Sequence, residues 1–183
     1  MATVFISGSL RIKNLHSKIN DRIENIIKSN HKVIVGDASG VDSSIQEVLK
    51  EKDYSNVIVY CSGNEVRNNV GQWPVERVKI DGSQKNKRLF YTAKDLEMAK
   101  NCNIGMMVWD SKSTGTLSNI YELLKQNKAS LVFINKHKIF KKVKTIEDFE
   151  TLLSVMSQSA FEKADAKIRL RNKVNGLKQR ELF

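Results

Sequence analysis

The sequence predicts an α/β protein built on an open parallel sheet of about five strands, with helices on both faces and a basic helix at the C-terminus. The first observation behind this prediction is a series of short, almost uninterrupted apolar runs, typical of strands that are buried on both faces. The second is that segments with apolar residues at helical spacing lie between these runs. Alternation of the two patterns favours βαβ units and therefore a parallel sheet.

Five apolar runs are the predicted strands, because each has the length of a strand and is bounded by polar or small residues. They cover residues 3–6, 32–35, 56–61, 104–109 and 130–134. Helices are predicted over residues 16–27, 41–52, 89–100 and 117–124. The polar stretch at residues 62–87 is longer than most connections. It is either a functional segment, part of which forms a short helix, or an insertion that covers a sheet edge.

The last part of the chain is helical in pattern. Residues 145–155 predict a short closing helix, because Thr145 is a good N-cap and two acidic residues follow it. Residues 157–181 are rich in Lys and Arg and are interrupted by Gly176. This segment either packs across the sheet, pairs with another subunit or stays a partly ordered tail. We therefore predict one domain over residues 1–155 and a basic helical tail over residues 156–183.

Composition sets limits on the class of protein. The chain of 183 residues carries a formal net charge of +11, which favours anionic partners, either nucleic acid or a small phosphorylated ligand. No apolar run approaches the roughly 20 residues that a membrane span needs, so we expect a cytoplasmic protein with no membrane partner. Cys61 and Cys102 lie far apart and have no metal-ligand pattern near them. We expect both to be buried thiols, and we expect neither a metal nor a cofactor.

Turns rich in Gly, Ser, Thr and Asp follow the first, second and fourth predicted strands. In the second turn, Gly36 and Gly40 stand between a β-branched run and a helical pattern, an arrangement that leads to an open helix N-terminus and suits phosphate. The alternative is an ordinary tight connection in which Asp42 or Ser43 caps the helix. Because the carboxyl ends of parallel strands share one edge, we expect the three turns to meet where the strand order reverses.

Three motifs in this order resemble the SLOG superfamily. They are FISGS at residues 5–9, VGDASGVD at residues 35–42 and WDSKSTGT at residues 109–116, and the resemblance covers about residues 3–135. The superfamily has Rossmann-like members that include the Lonely Guy phosphoribohydrolases, the DNA-processing protein that loads recombinase, and a branch called YspA- or YpsA-related. The resemblance implies a pocket over the strand ends for a nucleotide-derived ligand, such as a nucleoside phosphate, an ADP-ribose-like molecule or a cyclic nucleotide.

The resemblance assigns ligand contacts to the three turns and to one position just beyond them. These residues are Ser7, Gly8, Ser9, Gly36, Asp37, Ala38, Gly40, Val41, Asp42, Asp110, Ser113, Thr114, Gly115, Thr116 and Asn119. Arg11 and Arg67 are candidates for phosphate binding, because a guanidinium group matches the phosphate oxygens. Trp73, with Asn69 nearby, either stacks on a base or anchors its loop.

Related enzymes cleave N-glycosidic bonds with the glutamate of a Gly-Thr-x-x-Glu motif. Here Asn119 stands in that position, and Glu122 lies almost one turn further on. An amide cannot trap an oxocarbenium-like sugar, although it still binds a ribose hydroxyl. We therefore favour binding or sensing of the ligand, and Asp37, Asn119 and Glu122 are the catalytic candidates if the chain is an enzyme.

Two alternatives stay open. One is an N-glycosidic hydrolase or transferase that acts on nucleoside monophosphates, with Asp42 and Asp110 as further carboxylates at the rim of the pocket. The other is a basic protein associated with nucleic acid, which we do not favour because aromatic residues are not interleaved with the basic ones. We also expect a homo-oligomer, because relatives commonly dimerise and Leu170, Val174 and Leu177 offer an apolar stripe.

Overall fold

A single mixed sheet forms the centre of the computed structural model, which describes residues 1–79 and 87–181. In the described residues it has seven strands, in the spatial order β4-β3-β2-β1-β5-β6-β7. The strands are β1 (Thr3–Gly8), β2 (Lys32–Gly36), β3 (Val57–Ser62), β4 (Val75–Val78), β5 (Ile104–Trp109), β6 (Ser130–Ile134) and β7 (Ile139–Val143). All neighbouring pairs are parallel except β6 and β7, so the α/β class and the parallel sheet are confirmed.

Helices cover both faces of the sheet. They are α1 (Ser17–Lys28), α2 (Val41–Glu51), α3 (Lys87–Asn101), α4 (Thr114–Lys125), α5 (Ile146–Leu153), α6 (Gln158–Ile168) and α7 (Leu170–Glu181). Successive strand side chains point to opposite faces. Val4 and Ile6 accordingly pack in one core with α1 and α2, whereas Phe5 packs in a second core with α3 and α4. The near-continuous apolar strands are therefore explained by burial on both faces.

Two strands lie outside the five predicted ones. Strand β4 pairs with β3 at one edge, inside the polar stretch at 62–87, where the sequence pattern suggested a short helix. Residues 80–86 of that stretch lie outside the described residues. Strand β7 is the antiparallel edge beside β6. Both edge strands are largely exposed, so they lack the apolar runs on which strand prediction depends.

The C-terminal segment packs against the rest of the chain. It forms two helices that separate at Arg169, a residue with a left-handed φ of 53°, and not at Gly176 as the sequence pattern suggested. Helix α6 contacts α4, and α7 contacts α5. Leu170, Val174 and Leu177 are buried in the same core as these helices, so they are not an exposed stripe for a second copy. The boundary between residues 155 and 156 stays a prediction.

The two cysteines and the cap of α5 agree with the sequence predictions. Cys61 and Cys102 are buried free thiols, as predicted. Thr145 caps α5 in a reciprocal capping box with Asp148, as its sequence position suggested. Within residues 1–79 and 87–181, every helix is too short or too polar to span a bilayer.

Candidate functional site

A cleft of about 1000 Å³ lies over the carboxyl ends of the central strands. The strand order reverses here, because β2, β3 and β4 extend to one side of β1 whereas β5 lies on its other side. Ligands of open α/β sheets bind at this point. The lining residues are Ser7, Gly8, Ser9, Leu10, Arg11, Ala38, Asp42, Arg67, Tyr91, Thr92, Lys94, Asp95, Asp110, Lys112, Ser113, Thr114, Gly115, Thr116, Asn119, Ser157, Ser159, Ala160, Lys163, Ala164 and Lys167.

Ser9 joins the three predicted turns. Its carbonyl oxygen accepts a hydrogen bond from Val41 N in the turn after β2, at 3.2 Å. Its backbone N–H donates to Val108 O at 3.0 Å, and its hydroxyl donates to Asp110 Oδ2 at 2.8 Å, both at the end of β5. The predicted convergence of the three turns is therefore present in the structure.

The two glycines of the second turn make room for the protein's own groups. Gly40 has a φ of +80°, which favours glycine, and an added Cβ would lie 2.5 Å from Leu10 O. A Cβ on Gly36 would lie 2.3 Å from both Asp42 Oδ2 and Lys94 Nζ. Neither glycine is among the lining residues of the cleft. Of the predicted ligand contacts in this turn, the structure brings Ala38 and Asp42 to the lining of the cleft.

Four side chains form the floor of the cleft and are buried. Ser7 Oγ donates to Asp42 Oδ1 at 3.2 Å, and Asn119 Nδ2 donates to Ser7 Oγ at 3.5 Å. Lys94 Nζ lies 3.6 Å from Asp42 Oδ2. We call Ser7, Asp42, Lys94 and Asn119 the floor cluster. It joins polar groups from β1, α2, α3 and α4 into one chain of contacts.

The floor cluster has unusual electrostatics. Burial raises the pKa of Asp42 to about 6, against the opposing effect of the Lys94 charge. Burial acts in the other direction on Lys94, but the carboxylates of Asp95 and Asp42 outweigh it and raise the pKa of this lysine. Lys94 therefore stays cationic near neutral pH, whereas Asp42 takes up a proton under mildly acidic conditions.

Asp37 and Arg67 form an ion pair beside the cleft. Asp37 Oδ2 accepts from Arg67 N at 3.1 Å and from Arg67 Nε at 3.0 Å, and Oδ1 accepts from Nη2 at 2.5 Å. Burial raises the pKa of Asp37, but these bonds from Arg67 outweigh it, so the pKa lies below its ordinary value. Asp37 does not line the cleft. Arg67 does, although its guanidinium group is committed to a protein carboxylate.

Other predicted positions lie away from the cleft lining. Trp73 is buried and donates through Nε1 to Tyr54 O at 2.9 Å, and Asn69 bonds to both backbone groups of Trp73. This pair anchors its loop, which is the second of the two roles that the sequence left open for Trp73. Glu122 accepts from Gln126 and pairs with Lys125 at the C-terminal end of α4.

The start of α4 forms another wall of the cleft. Ser113 is its N-cap and accepts from Thr116 N, while Asp110 Oδ1 accepts from Lys112 N at 2.9 Å and from Ser113 N at 2.6 Å. Part of the predicted phosphate cradle is therefore already occupied by Asp110. Gly115, next to Thr114 in the first turn, is exposed and lines the cleft.

Two walls of the cleft are not indicated by the sequence motifs. Helix α3 contributes Tyr91, Thr92, Lys94 and Asp95, and α6 with its N-cap contributes Ser157, Ser159, Ala160, Lys163, Ala164 and Lys167. The α6 residues recur at helical spacing, which predicts one face of a helix but not what that face covers. With both walls included, the lining holds six Lys or Arg side chains and three carboxylates, so the cleft has an excess of positive charge.

The fold and the cleft together define a class of protein. It is a Rossmann-like α/β protein with a cleft that lies at the switch point of a parallel sheet and carries excess positive charge. Compared with models of known protein families and with curated protein sequences, the chain matches none.

Proposed function

We propose that this chain binds a small nucleotide-derived ligand in the cleft, and that it belongs to the SLOG superfamily whose motifs it resembles. The observation that carries the proposal is the meeting of the three turns at the switch point, joined through Ser9. A cleft of about 1000 Å³ has room for a mononucleotide or for ADP-ribose.

The phosphate of the ligand lies at the wall formed by the start of α4. Gly115 leaves the backbone accessible there, and the positive end of the helix dipole favours an anion. Lys112 follows β5 on the same side, and α6 adds Lys163 to the lining. Helix dipole and cationic side chains therefore act together on a negative group.

The sugar of the ligand lies over the floor cluster. Ser7 Oγ, whose proton is donated to Asp42, accepts from a ribose hydroxyl, and the Asn119 amide both donates and accepts. This role fits Asn119 in the place of a catalytic glutamate, because binding a hydroxyl needs hydrogen bonds and not a nucleophile. We therefore favour recognition of the ligand over its cleavage.

Isothermal titration calorimetry with AMP, ADP-ribose and cyclic AMP tests the proposal directly. The protein is first stripped of any bound molecule by denaturation and refolding. We expect saturable binding of at least one of the three compounds to the refolded protein. Mass spectrometry of the denatured supernatant identifies a ligand that co-purifies. Absence of binding by all three compounds, together with a supernatant free of nucleotides, would overturn the proposal.

A second candidate function is cleavage of the N-glycosidic bond of a nucleoside monophosphate. The observation that favours it is Asp42, a buried carboxyl group on the cleft floor with a pKa of about 6, which suits an acid-base group near neutral pH. In this reaction a water oxygen replaces the base at C1′, the C1′–N bond breaks, and one water proton ends on the departing base. Asp37 and Glu122 do not line the cleft, so they are not the groups we assign to it.

Chromatography separates the two functions. The protein is incubated with AMP, and free adenine is measured over time beside the variant Asp42→Asn. Adenine released by the wild type and not by the variant supports cleavage. No adenine from either protein, with AMP bound and recovered intact, supports binding alone.

A further inference from the structure

Arg67 and Tyr91 form a stacked pair in the wall of the cleft. The guanidinium carbon of Arg67 lies 4.7 Å from the centroid of the Tyr91 ring. The Arg67 side chain is 40% exposed and Tyr91 is 46% exposed, and both line the cleft. Two flat groups are thus stacked where a ligand can reach them.

Asp37 fixes the plane of the Arg67 guanidinium. Two side-chain bonds and one backbone bond hold Arg67 to the buried carboxylate. Turning this group toward a phosphate would break the pair and leave the Asp37 charge buried without its partner, which is costly. Arg67 therefore offers the cleft a flat surface and not a mobile cation.

Tyr91 is held from a second direction. Its ring meets the ring of Phe90 edge to face, with centroids 5.2 Å apart and an angle of 87° between the planes. Both aromatic residues belong to α3, the helix that also carries Lys94 to the cleft floor. The position of Tyr91 is thereby tied to the floor cluster through one rigid element.

We infer that the Arg67–Tyr91 pair is the subsite for the planar base of the ligand, an inference that rests on the proposed function. Aromatic rings and guanidinium planes are the surfaces on which proteins stack nucleobases. With the base here, the sugar lies over the floor cluster and the phosphate lies at the start of α4. The ligand class is therefore a nucleotide that keeps its base, and not a sugar phosphate.

Calorimetry with AMP and with ribose 5-phosphate tests this inference. Stacking of one base predicts that AMP binds the wild type about tenfold more tightly than ribose 5-phosphate. Tyr91→Ala is expected to remove most of this preference while the affinity for ribose 5-phosphate stays unchanged. Tyr91→Phe keeps the ring and is expected to keep the preference, and circular dichroism checks that both variants are folded.

The outcomes separate the inference from the proposed function. Equal affinities of the wild type for AMP and ribose 5-phosphate would overturn the base subsite and leave phosphate binding in the cleft intact. A preference for AMP that survives Tyr91→Ala would also overturn it, because the base would then bind elsewhere. If AMP, ADP-ribose and cyclic AMP all fail to bind and the denatured supernatant is free of nucleotides, the proposed function and the base subsite both fail.

Discussion

The ammonium group of Lys94 lies 3.6 Å from the carboxylate of Asp42, and both side chains are almost completely buried beneath the cleft. Lys94 also donates to Asp95 Oδ1 at 2.9 Å, and that carboxylate is partly exposed. The buried Asp42 charge is tolerated because Lys94 compensates it, and loss of Lys94 would leave this carboxylate without compensation. The floor of the cleft therefore depends on Lys94.

Replacing Lys94 with methionine is expected to destabilise the fold. The side chain keeps its approximate length but loses the charge that compensates Asp42, so we expect a loss of about 3 kcal/mol in the free energy of unfolding at pH 7.5. Urea denaturation followed by circular dichroism measures it. At pH 5 the loss is expected to be smaller, because Asp42 is then largely protonated.

The double variant Lys94→Met/Asp42→Asn is the control for this interpretation. Removing the buried carboxylate together with the lysine is expected to recover much of the stability lost in Lys94→Met, because no uncompensated charge remains. If the double variant is no more stable than Lys94→Met, packing of the lysine chain and not charge compensation explains the loss.

The pKa of Asp42 predicts how stability changes with pH. Burial raises this pKa to about 6 from an ordinary value of 3.8, so the folded protein binds a proton that the unfolded chain has released between about pH 4 and pH 6. Stability gained from this group is present at low pH and is lost as the pH rises through that window. The size of the effect is about 3 kcal/mol for a shift of this magnitude.

Comparison with the variant Asp42→Asn isolates the contribution of Asp42 to the pH dependence of stability. The unfolding free energy of each protein is measured by urea denaturation from pH 4 to pH 7.5. Wild type is expected to lose about 2.4 kcal/mol more than the variant over this range, which begins just above the ordinary pKa and so covers most of the full effect, because the remaining titrating groups are common to both. Parallel curves for the two proteins would mean that Asp42 titrates in the folded state as it does in the unfolded chain.

Strands that are buried on both faces could be predicted from the sequence, whereas exposed edge strands could not. The strands next to the centre are apolar on both faces, and the predicted fourth and fifth strands match β5 and β6 at both ends. The edge strands β4 and β7 have exposed polar residues such as Glu76 and Lys141, so no apolar run indicates them. Arg169 ends α6 because its backbone is left-handed, a conformation that an arginine in the sequence does not predict.

Only the turns of the candidate site could be predicted from the sequence. Small residues after strands predicted that Ser9, Asp110 and Gly115 would come together, and they do. Lys94 stands beside Asp95 on a helix and has the pattern of a solvent-exposed charge, yet it is buried because α3 packs over β2 and β3. Gly36 has the pattern of a phosphate turn, although the space that it leaves is filled by Asp42 and Lys94. Such contacts depend on tertiary packing that local patterns do not contain.

Gly115→Ala is expected to separate stability from binding. An added Cβ would lie no nearer than 4.0 Å to another residue, at Ser113 Oγ, so the protein accommodates it and gains about 0.5 kcal/mol from helix propensity. The methyl group stands at the start of α4, where the proposed phosphate approaches the backbone. Affinity for AMP, measured by calorimetry, is therefore expected to fall about tenfold, equal to 1.4 kcal/mol.

Gly176→Ala is the matched control, because this glycine lies in α7 with nothing within 4 Å of an added Cβ and does not line the cleft. It is expected to stabilise the helix by about 0.5–1 kcal/mol and to leave the affinity for AMP unchanged. If Gly115→Ala binds AMP as tightly as Gly176→Ala does, the phosphate does not lie at the start of α4.

Lys163→Ala is expected to weaken binding and to lower its dependence on salt. Lys163 lies on the exposed face of α6 and lines the cleft, so its charge acts directly on the proposed phosphate. Loss of a charged contact of this kind is expected to cost about tenfold in affinity for AMP at low ionic strength, and less at high salt because screening has already weakened the contact. Lys141→Ala removes the same charge from the exposed edge strand β7, outside the cleft lining, and is expected to leave the affinity almost unchanged. Equal losses in the two variants, measured by calorimetry at two salt concentrations, would assign the effect to net charge and not to the α6 wall.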